Sequence, residues 1–359
     1  MLHRSSCRPV FFALIFALPT AGGFLIAGSA ADEPRRAGLE DRDRAGSQAT
    51  IADDPAISRP NAKAIPDRKA RTKRRAEQAK RQTSKGFRWV NRPAGELPAG
   101  AEHHTFESAI AGEPVGYVIY QPPQVRTDSA RRVPVLYYLH GGRPGSELKS
   151  VSIARDADRL IREGAIAPLI LVFVNGGPVS HYNTPADEAI GQAATQGADV
   201  FVQELIPHID ATYPTQATRE GRHLTGFSQG GRGTARLAFR YPELFSTAAP
   251  GGGGYATEKR ISESEGFESE TLRFAPGDNA YDLARQYAAA RRENRVPPVR
   301  LLVFVGTKGF NYENNVAYMA FLDDLEIPYE RIVVKGAKHS AREIFDKRAL
   351  ELFRFHESR

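Results

Sequence analysis

The sequence predicts a protein of the α/β class, in which helices cover both faces of a mostly parallel central β-sheet. Strand-like apolar stretches alternate with helix-like stretches from residue 102 to residue 356, an order typical of a parallel sheet. Several of these strands end in glycine-rich loops, such as His140-Gly141-Gly142 and residues 251–254. The composition, 41% hydrophobic and 25% charged, is that of an ordinary globular domain.

The charge distribution separates the N-terminal segment from the rest. The 359 residues carry a net charge of +7. Residues 1–86 contain 17 Lys and Arg against 9 Asp and Glu, whereas residues 87–359 contain 32 against 33. The second segment is therefore nearly neutral, and nucleic-acid binding is not expected of it. The single cysteine, Cys7, leaves that segment without a disulfide, a thiol nucleophile or a thiolate metal site.

Residues 1–31 have the features of a signal peptide, because two arginines precede an apolar run that ends in small residues. We predict cleavage after Ala30 or Ala31 and export to the periplasm or the exterior. An uncleaved membrane anchor is the alternative, since the run approaches the ~20 residues that span a bilayer. Residues 32–86 are predicted to form a disordered basic linker. It is either a solvated tether or a segment that contacts an anionic envelope surface.

The folded domain is predicted to span residues 87–359. Stretches 102–108 and 114–120 suggest an antiparallel pair that leads into the sheet. Further strands are expected at 133–139, 166–174, 222–225, 244–250, 299–305 and 329–334. Helices are expected at 152–163, 198–213, 232–240, 316–325 and 341–356, and residues 255–295 should be polar and partly helical. In such a sheet, reactive groups lie at the carboxyl ends of the strands.

A candidate nucleophile follows the strand at 222–225. Ser228 stands in Gly226-Phe227-Ser228-Gln229-Gly230-Gly231, with glycine two positions away on each side and a helix-like stretch after it. A serine on a tight turn between a strand and a helix is typical of the nucleophile elbow of the α/β-hydrolase fold. The sequence therefore predicts that fold and a serine nucleophile.

A serine nucleophile needs a base, and the base needs an orienting group. His339 lies on the loop after the last predicted strand, where this fold has its histidine. The acid should follow the strand at 299–305, but the loop there contains no aspartate, and its only carboxylate is Glu313. Glu313 is therefore predicted to orient His339.

An oxyanion hole needs backbone N–H groups directed at the developing charge. Gln229, directly after the serine, is predicted to supply one, and Gly141, in the glycine loop after the strand at 133–139, the other. The sequence has no His-x-x-x-His or His-Glu-x-x-His arrangement, and the glycines at 251–254 lack the Lys-Ser/Thr of a phosphate loop. No metal and no cofactor is expected.

Four longer stretches resemble the "Putative esterase" (esterase D-like) family of α/β-hydrolases, which includes feruloyl and acetylxylan esterases. They are residues 135–142, 204–213, 224–231 and 241–245. The resemblance implies that Ser228 is the nucleophile, His339 the base and the loop at Gly141 part of the oxyanion hole. The family usually has aspartate where this chain has Gly309, so Glu313 must substitute or the triad is incomplete.

The leading hypothesis is an exported serine carboxylester hydrolase that acts on small-molecule or polysaccharide-borne esters, with acetyl or feruloyl esters first. The sequence leaves two alternatives open. One is a non-catalytic or weakly active binding protein on the same fold, which Gly309 favours. The other is an acyltransferase, which sequence alone does not distinguish from a hydrolase.

Overall fold

The computed structural model describes residues 87–357 apart from 129, 143–144, 180–181, 185–194 and 270–271. The predicted signal peptide (1–31) and linker (32–86) lie outside the described residues. Within the described part of the chain, no helix has the length and apolarity needed to cross a membrane.

Among the described residues, eight strands form the central sheet: β1 (Ala101–Ser108), β2 (Glu113–Tyr120), β3 (Val135–Leu139), β4 (Ile170–Val174), β5 (Arg222–Phe227), β6 (Thr247–Gly251), β9 (Arg300–Gly306) and β10 (Glu330–Val334). Their order is β1-β2-β4-β3-β5-β6-β9-β10. The first two strands form the predicted hairpin, and β2 also runs antiparallel to β4. All pairs from β4 to β10 are parallel, so the carboxyl ends of these strands share one edge. A separate small hairpin contains β7 (Phe267–Ser269) and β8 (Leu272–Arg273).

In the described part of the chain, eight α- or π-helical elements surround the strands, besides a 3-10 turn at Val151–Ile153. They are α1 (Pro123–Thr127), α2 (Ala154–Arg162), α3 (the consecutive segments Gly197–Asp199, Val200–Leu205 and Ile206–Thr212, the middle one π-helical), α4 (Gln229–Arg240), α5 (Tyr255–Glu263), α6 (Ala280–Arg292), α7 (Tyr312–Asp324) and α8 (Ala341–Arg354). The stretch 255–295, predicted to be partly helical, thus contains α5, the small hairpin and α6.

The inner strands β3 and β4 are buried on both faces of the sheet, which explains why each is a continuous apolar run. Alternate residues of a strand point to opposite faces. Tyr137 and Leu139 of β3 belong to a core that contains α3, α4, α6 and α7 residues. Leu136 and Tyr138 belong to a second core that contains α2 and α8 residues. The predicted fold class, an α/β-hydrolase with helices on both faces of a mostly parallel sheet, is confirmed.

Buried charges attach the 255–295 segment to α4. The guanidinium of Arg236 donates two hydrogen bonds of 2.8 Å to the carboxylate of Glu258 on α5. Both side chains are buried, and Glu258 also accepts from the backbone N–H of Ala280 at the start of α6. Removing one partner would leave a buried charge without its counter-ion. The pair therefore holds α5 and α6 against α4, the helix that follows the candidate nucleophile.

Candidate active site

Ser228 occupies the turn between β5 and α4. Its backbone has φ +63° and ψ −114°, a conformation that residues with a side chain rarely adopt. The turn is closed so tightly that a Cβ on Gly230 would overlap the carbonyl oxygen of Leu139, and one on Gly226 would overlap that of Gly230. The glycines of the motif are therefore a steric requirement of the elbow, and the strained serine lies at the carboxyl edge of the sheet.

His339 lies on the loop between β10 and α8 and faces Ser228. Its Nε2 is 2.9 Å from Oγ of Ser228. The rings of Phe227 and Phe310 pack on the imidazole, with ring centroids 4.8 and 4.1 Å away. Ser228 and His339, which are 111 residues apart, are thus brought into the geometry of a nucleophile and its base.

The group that orients His339 is Asn311, which sequence reasoning missed. Oδ1 of Asn311 is 3.1 Å from Nδ1 of His339. Its amide nitrogen donates to the carbonyl oxygens of Gly252 and Gly253, the second at 2.9 Å. Because the nitrogen end of the amide is occupied by two acceptors, the oxygen end must face the imidazole. Nδ1 then carries the proton, so Nε2 is the nitrogen that accepts a proton from Ser228.

The prediction that Glu313 orients His339 is not supported by the geometry. Glu313 is exposed on the first turn of α7. His339 Nδ1 is hydrogen-bonded instead to the buried amide of Asn311, two residues before Glu313 in the chain. A helix that begins at Tyr312 directs the Glu313 side chain to solvent, whereas Asn311 precedes the helix.

Gly309 lies beside the Asn311 amide and the backbone of His339. A Cβ built there would lie 3.5 Å from Oδ1 of Asn311 and 3.7 Å from the backbone nitrogen of His339. A carboxylate from position 309 would therefore compete for the space that the Asn311 amide now fills. The signal in the sequence was an asparagine in the same loop. Asparagine fills the same role in Cys-His-Asn sites, so a carboxylate is not the only side chain that can orient the histidine.

Two backbone segments adjoin Ser228 where an oxyanion would form. Gln229 is the first residue of α4, so its N–H belongs to a helix N-terminus, which favours negative charge. Gly141 lies against the elbow: a Cβ there would come within 2.8 Å of Cβ of Ser228. The structure therefore brings both predicted oxyanion residues next to the serine.

His140 stabilises the loop that contains Gly141 through hydrogen bonds of both ring nitrogens. Its Nε2 accepts hydrogen bonds from the backbone N–H groups of Ser146 and Gly176, both at 3.0 Å. Nδ1 then bears the proton and donates to the carbonyl oxygen of Gly141 at 3.2 Å. Burial lowers the pKa of His140 to about 3, so its imidazole is neutral at physiological pH. We assign it a structural role.

Metal chemistry has no candidate ligand cluster here. Within the described residues, no three His, Cys, Asp or Glu side chains come together in a way that could hold an ion.

The strained serine elbow, the facing histidine and the parallel sheet define an α/β-hydrolase of the serine-esterase class. The family model described as "Putative esterase" matches residues 108–325. The chain belongs to that family, as its motifs indicated.

Curated relatives have esterase names. A segment of 147 residues is 29% identical to Esterase Rv1288 of Mycobacterium tuberculosis and covers 41% of this chain and 31% of the relative. A segment of 134 residues is 34% identical to an endo-1,4-beta-xylanase/feruloyl esterase of Xylanibacter ruminicola, covering 36% of this chain and 18% of that protein. The matches thus span less than a third of the length of these relatives.

Solved structures share the fold. A ferulic acid esterase superposes with a TM-score of 0.56 at 18% identity, over 71% of this chain and 95% of that chain. An S-formylglutathione hydrolase from Agrobacterium tumefaciens superposes with a TM-score of 0.57 at 16% identity, over 73% of this chain and 96% of the other. At these identities the similarity defines the fold and leaves the substrate open.

Proposed function

We propose that this protein hydrolyses carboxylic esters through an acyl-enzyme formed on Ser228. The observation that carries the proposal is the hydrogen-bonded series from Ser228 Oγ to His339 Nε2, at 2.9 Å, and from His339 Nδ1 to Asn311 Oδ1, at 3.1 Å. It contains a nucleophile, a base and a group that fixes the base in the required tautomer.

In the first half-reaction, Oγ of Ser228 attacks the ester carbonyl while Nε2 of His339 takes its proton. The carbonyl oxygen becomes negatively charged, and the backbone N–H groups of Gln229 and of the loop at Gly141 stabilise it. Such a donor contributes about 10²–10³ in rate. The imidazolium then protonates the leaving alcohol, and the acyl group stays on Ser228.

In the second half-reaction, Nε2 of His339 takes a proton from water, and the oxygen of that water attacks the acyl carbonyl. The bond between the acyl carbon and Oγ then breaks, the imidazolium returns its proton to Oγ of Ser228, and the acid is released. The Asn311 amide holds the imidazole through both halves but adds no negative charge. The imidazolium is consequently stabilised by a dipole, where a carboxylate would supply a full charge.

We further propose that the substrate is an acetyl or feruloyl ester carried by a polysaccharide. The names of one relative and of one structural neighbour include feruloyl or ferulic acid esterase. Phe310 adds support, because this residue is 55% exposed and its ring lies beside His339. The leaving alcohol must lie close to His339, and an exposed aromatic ring suits the apolar face of a sugar.

Export is part of the same proposal, since polysaccharide esters are found outside the cytoplasm. It rests on the signal-like sequence of residues 1–31. Fractionation of cells that express the full chain, followed by N-terminal sequencing of the mature protein, tests it. We expect an exported protein that begins near Asp32. A full-length protein retained in the membrane would favour the anchor.

The catalytic proposal is tested by hydrolysis of p-nitrophenyl esters by the wild type and by Ser228→Ala. We expect the variant to lose at least about 10⁴-fold in kcat. Ser262→Ala, a serine of α5, is the matched control and should leave kcat unchanged. Equal rates for the wild type and Ser228→Ala would rule out the assigned nucleophile.

A fluorophosphonate probe distinguishes the enzyme from a non-catalytic binding protein on this fold. An activated Ser228 reacts covalently, and mass spectrometry should locate the label on the peptide that contains it. An unlabelled serine in folded protein would favour the binding protein. Product analysis with an added alcohol then separates hydrolysis from acyl transfer.

A further inference from the structure

The carbonyl group of Gly141 is held from two sides. It accepts the hydrogen bond from Nδ1 of His140, and Nζ of Lys149 lies 3.2 Å from the same oxygen. Lys149 also packs against Gly142, because a Cβ on Gly142 would be 3.1 Å from Nζ. Gly142 has φ +79°, which glycine adopts without strain. This lysine thus contacts the peptide group that joins Gly141 and Gly142.

Lys149 is placed by a buried carboxylate two residues before it. Glu147 is completely buried. Its Oε1 accepts from the backbone N–H of Asn91 at 2.7 Å and from Nε2 of His103 at 2.8 Å. Its Oε2 accepts from the side-chain amides of Asn91 and Asn175, at 2.9 and 3.0 Å. The loop that carries Lys149 is therefore anchored to β1 and to the end of β4, and the lysine is half-buried in a fixed position.

The direction of the Gly141 carbonyl determines the direction of one N–H group. In a planar trans peptide, the C=O of one residue and the N–H of the next point in opposite directions. Gly141 lies against Ser228. Because its carbonyl points toward Lys149, the N–H of Gly142 points in the opposite direction, away from Lys149. That N–H, rather than the N–H of Gly141, becomes the candidate donor from this loop.

We propose that Lys149 is a positioning residue of the oxyanion hole, which holds the Gly141 carbonyl so that the N–H of Gly142 points at the oxyanion formed on Ser228. This inference rests on the proposed function. The interaction that Lys149 supports develops only when the carbonyl oxygen becomes negative. Loss of the lysine should therefore lower kcat and leave KM nearly unchanged.

The test compares Lys149→Met, Lys149→Arg and Lys335→Met with the wild type. Methionine keeps the aliphatic stem and removes the donor, arginine restores a donor, and Lys335 is an exposed control. Rates on p-nitrophenyl acetate are divided by the concentration of sites that a fluorophosphonate titrates, so that misfolded protein does not count. We expect kcat of Lys149→Met to fall about 10- to 100-fold with KM within about two-fold, partial recovery in Lys149→Arg, and no change in Lys335→Met.

Three results would overturn the inference. They are an unchanged kcat in Lys149→Met, a rise in KM at constant kcat, or equal losses in the methionine and arginine variants. If Lys149→Met yields no titratable sites, Lys149→Leu, which also lacks a donor, is measured by the same criteria. Ser228→Ala is assayed in parallel. If it matches the wild type, the proposed function fails and the inference with it, whereas an inactive Ser228→Ala beside a fully active Lys149→Met removes the inference alone.

Discussion

Two hydroxyl–imidazole pairs lie at opposite ends of the same two strands. At the carboxyl ends of β5 and β6, Oγ of Ser228 is 2.9 Å from Nε2 of His339. At the amino ends, Oγ1 of Thr247 is 2.6 Å from Nδ1 of His356 and 2.9 Å from Nδ1 of His223. The hydrogen bonds are similar, yet we assign a chemical role only to the first pair.

Access and backbone geometry make the difference. Thr247, His223 and His356 are buried, so no substrate reaches them, and Thr247 is an ordinary residue of a strand. Ser228 is half-buried on a strained elbow at a helix N-terminus. A hydroxyl group next to an imidazole is therefore not sufficient for nucleophilic catalysis. The pair needs access, backbone N–H donors around the developing charge, and a group that fixes the tautomer.

The largest expected effect comes from replacing the histidine of each pair, His339 or His356, in separate variants. His339→Gln should lower kcat by about 10⁴–10⁶ with little change in the free energy of unfolding. His356→Gln should do the opposite, lowering the free energy of unfolding by about 1–3 kcal/mol through a disturbed buried hydrogen bond and leaving kcat per folded molecule unchanged. Ester hydrolysis and urea unfolding measure the two quantities. A comparable loss of kcat in both variants would refute the distinction between the pairs.

Asn311 is the next group to test. Asn311→Ala should lower kcat by about 10²–10⁴, because the imidazole loses the acceptor that fixes its tautomer. Asn311→Asp should not restore a conventional triad, since the carboxylate would face the carbonyl oxygens of Gly252 and Gly253 that the amide now donates to. We expect Asn311→Asp to lose about 1–3 kcal/mol of stability and to hydrolyse esters more slowly than the wild type at pH 7.

Asn314→Asp is the matched control for that substitution. It adds the same charge on the first turn of α7, where no hydrogen bond to His339 is involved. Its stability and kcat should stay near the wild-type values. Faster hydrolysis by Asn311→Asp than by the wild type would contradict the view that this position is built for an amide.

The buried histidines predict an acid-sensitive fold. Burial lowers the pKa of His223 to about 4, with Arg300 adding to the effect, and burial also lowers the pKa of His356 well below its usual range. Between the unfolded value of 6.5 and about 4, the unfolded chain therefore binds more protons than the native one. Stability is fully present above pH ~6.5 and falls as the pH is lowered, by about 1.4 kcal/mol per pH unit for each such group.

Urea unfolding at pH 7.0 and pH 5.0 measures this loss. Fewer buried histidines should give a shallower pH dependence, so the comparison uses His223→Gln beside His104→Gln, whose side chain is not buried. An identical pH dependence in His223→Gln and the wild type would exclude His223 as a source of the acid sensitivity.

The smallest effect concerns Phe310. If its exposed ring contacts the alcohol part of the substrate, Phe310→Ala should raise KM for an acetylated xylo-oligosaccharide about three- to tenfold, consistent with the ~0.5–1.5 kcal/mol of an aromatic contact. KM for p-nitrophenyl acetate should hardly change. Phe267→Ala, an exposed phenylalanine on the β7–β8 hairpin, is the control. Equal effects on both substrates would exclude a contact specific to the sugar.

The sequence predicted the fold well because its signals were local and repeated. Continuous apolar runs marked β3 and β4, and the glycines around Ser228 marked the elbow. The predicted strand 166–174 began too early, since β4 begins at Ile170 and pairing with a neighbour decides where a strand starts. The structure of segment 255–295 could be predicted only as partly helical. Its contacts with α4 depend on buried ion pairs between residues that are distant in the chain.

The candidate site was predictable only where residue type limited the choice. Ser228 and His339 stood out by motif and position. The orienting group did not, because an asparagine becomes an acceptor for His339 only when Gly252 and Gly253 occupy its amide nitrogen. Those contacts connect residues nearly 60 positions apart, so no local pattern distinguishes Asn311 from Asn314. Lys149 is a similar case, since its significance depends on the carbonyl direction of Gly141.

The amide at position 311 affects how strongly the reaction rate depends on ionic strength. Before reaction, Ser228, a neutral His339 and Asn311 carry no formal charge, and the step that forms the oxyanion creates one cation and one anion side by side. Their fields largely cancel beyond the site, so dissolved ions have little to screen. A carboxylate in the third position would have left a net negative charge there throughout the cycle.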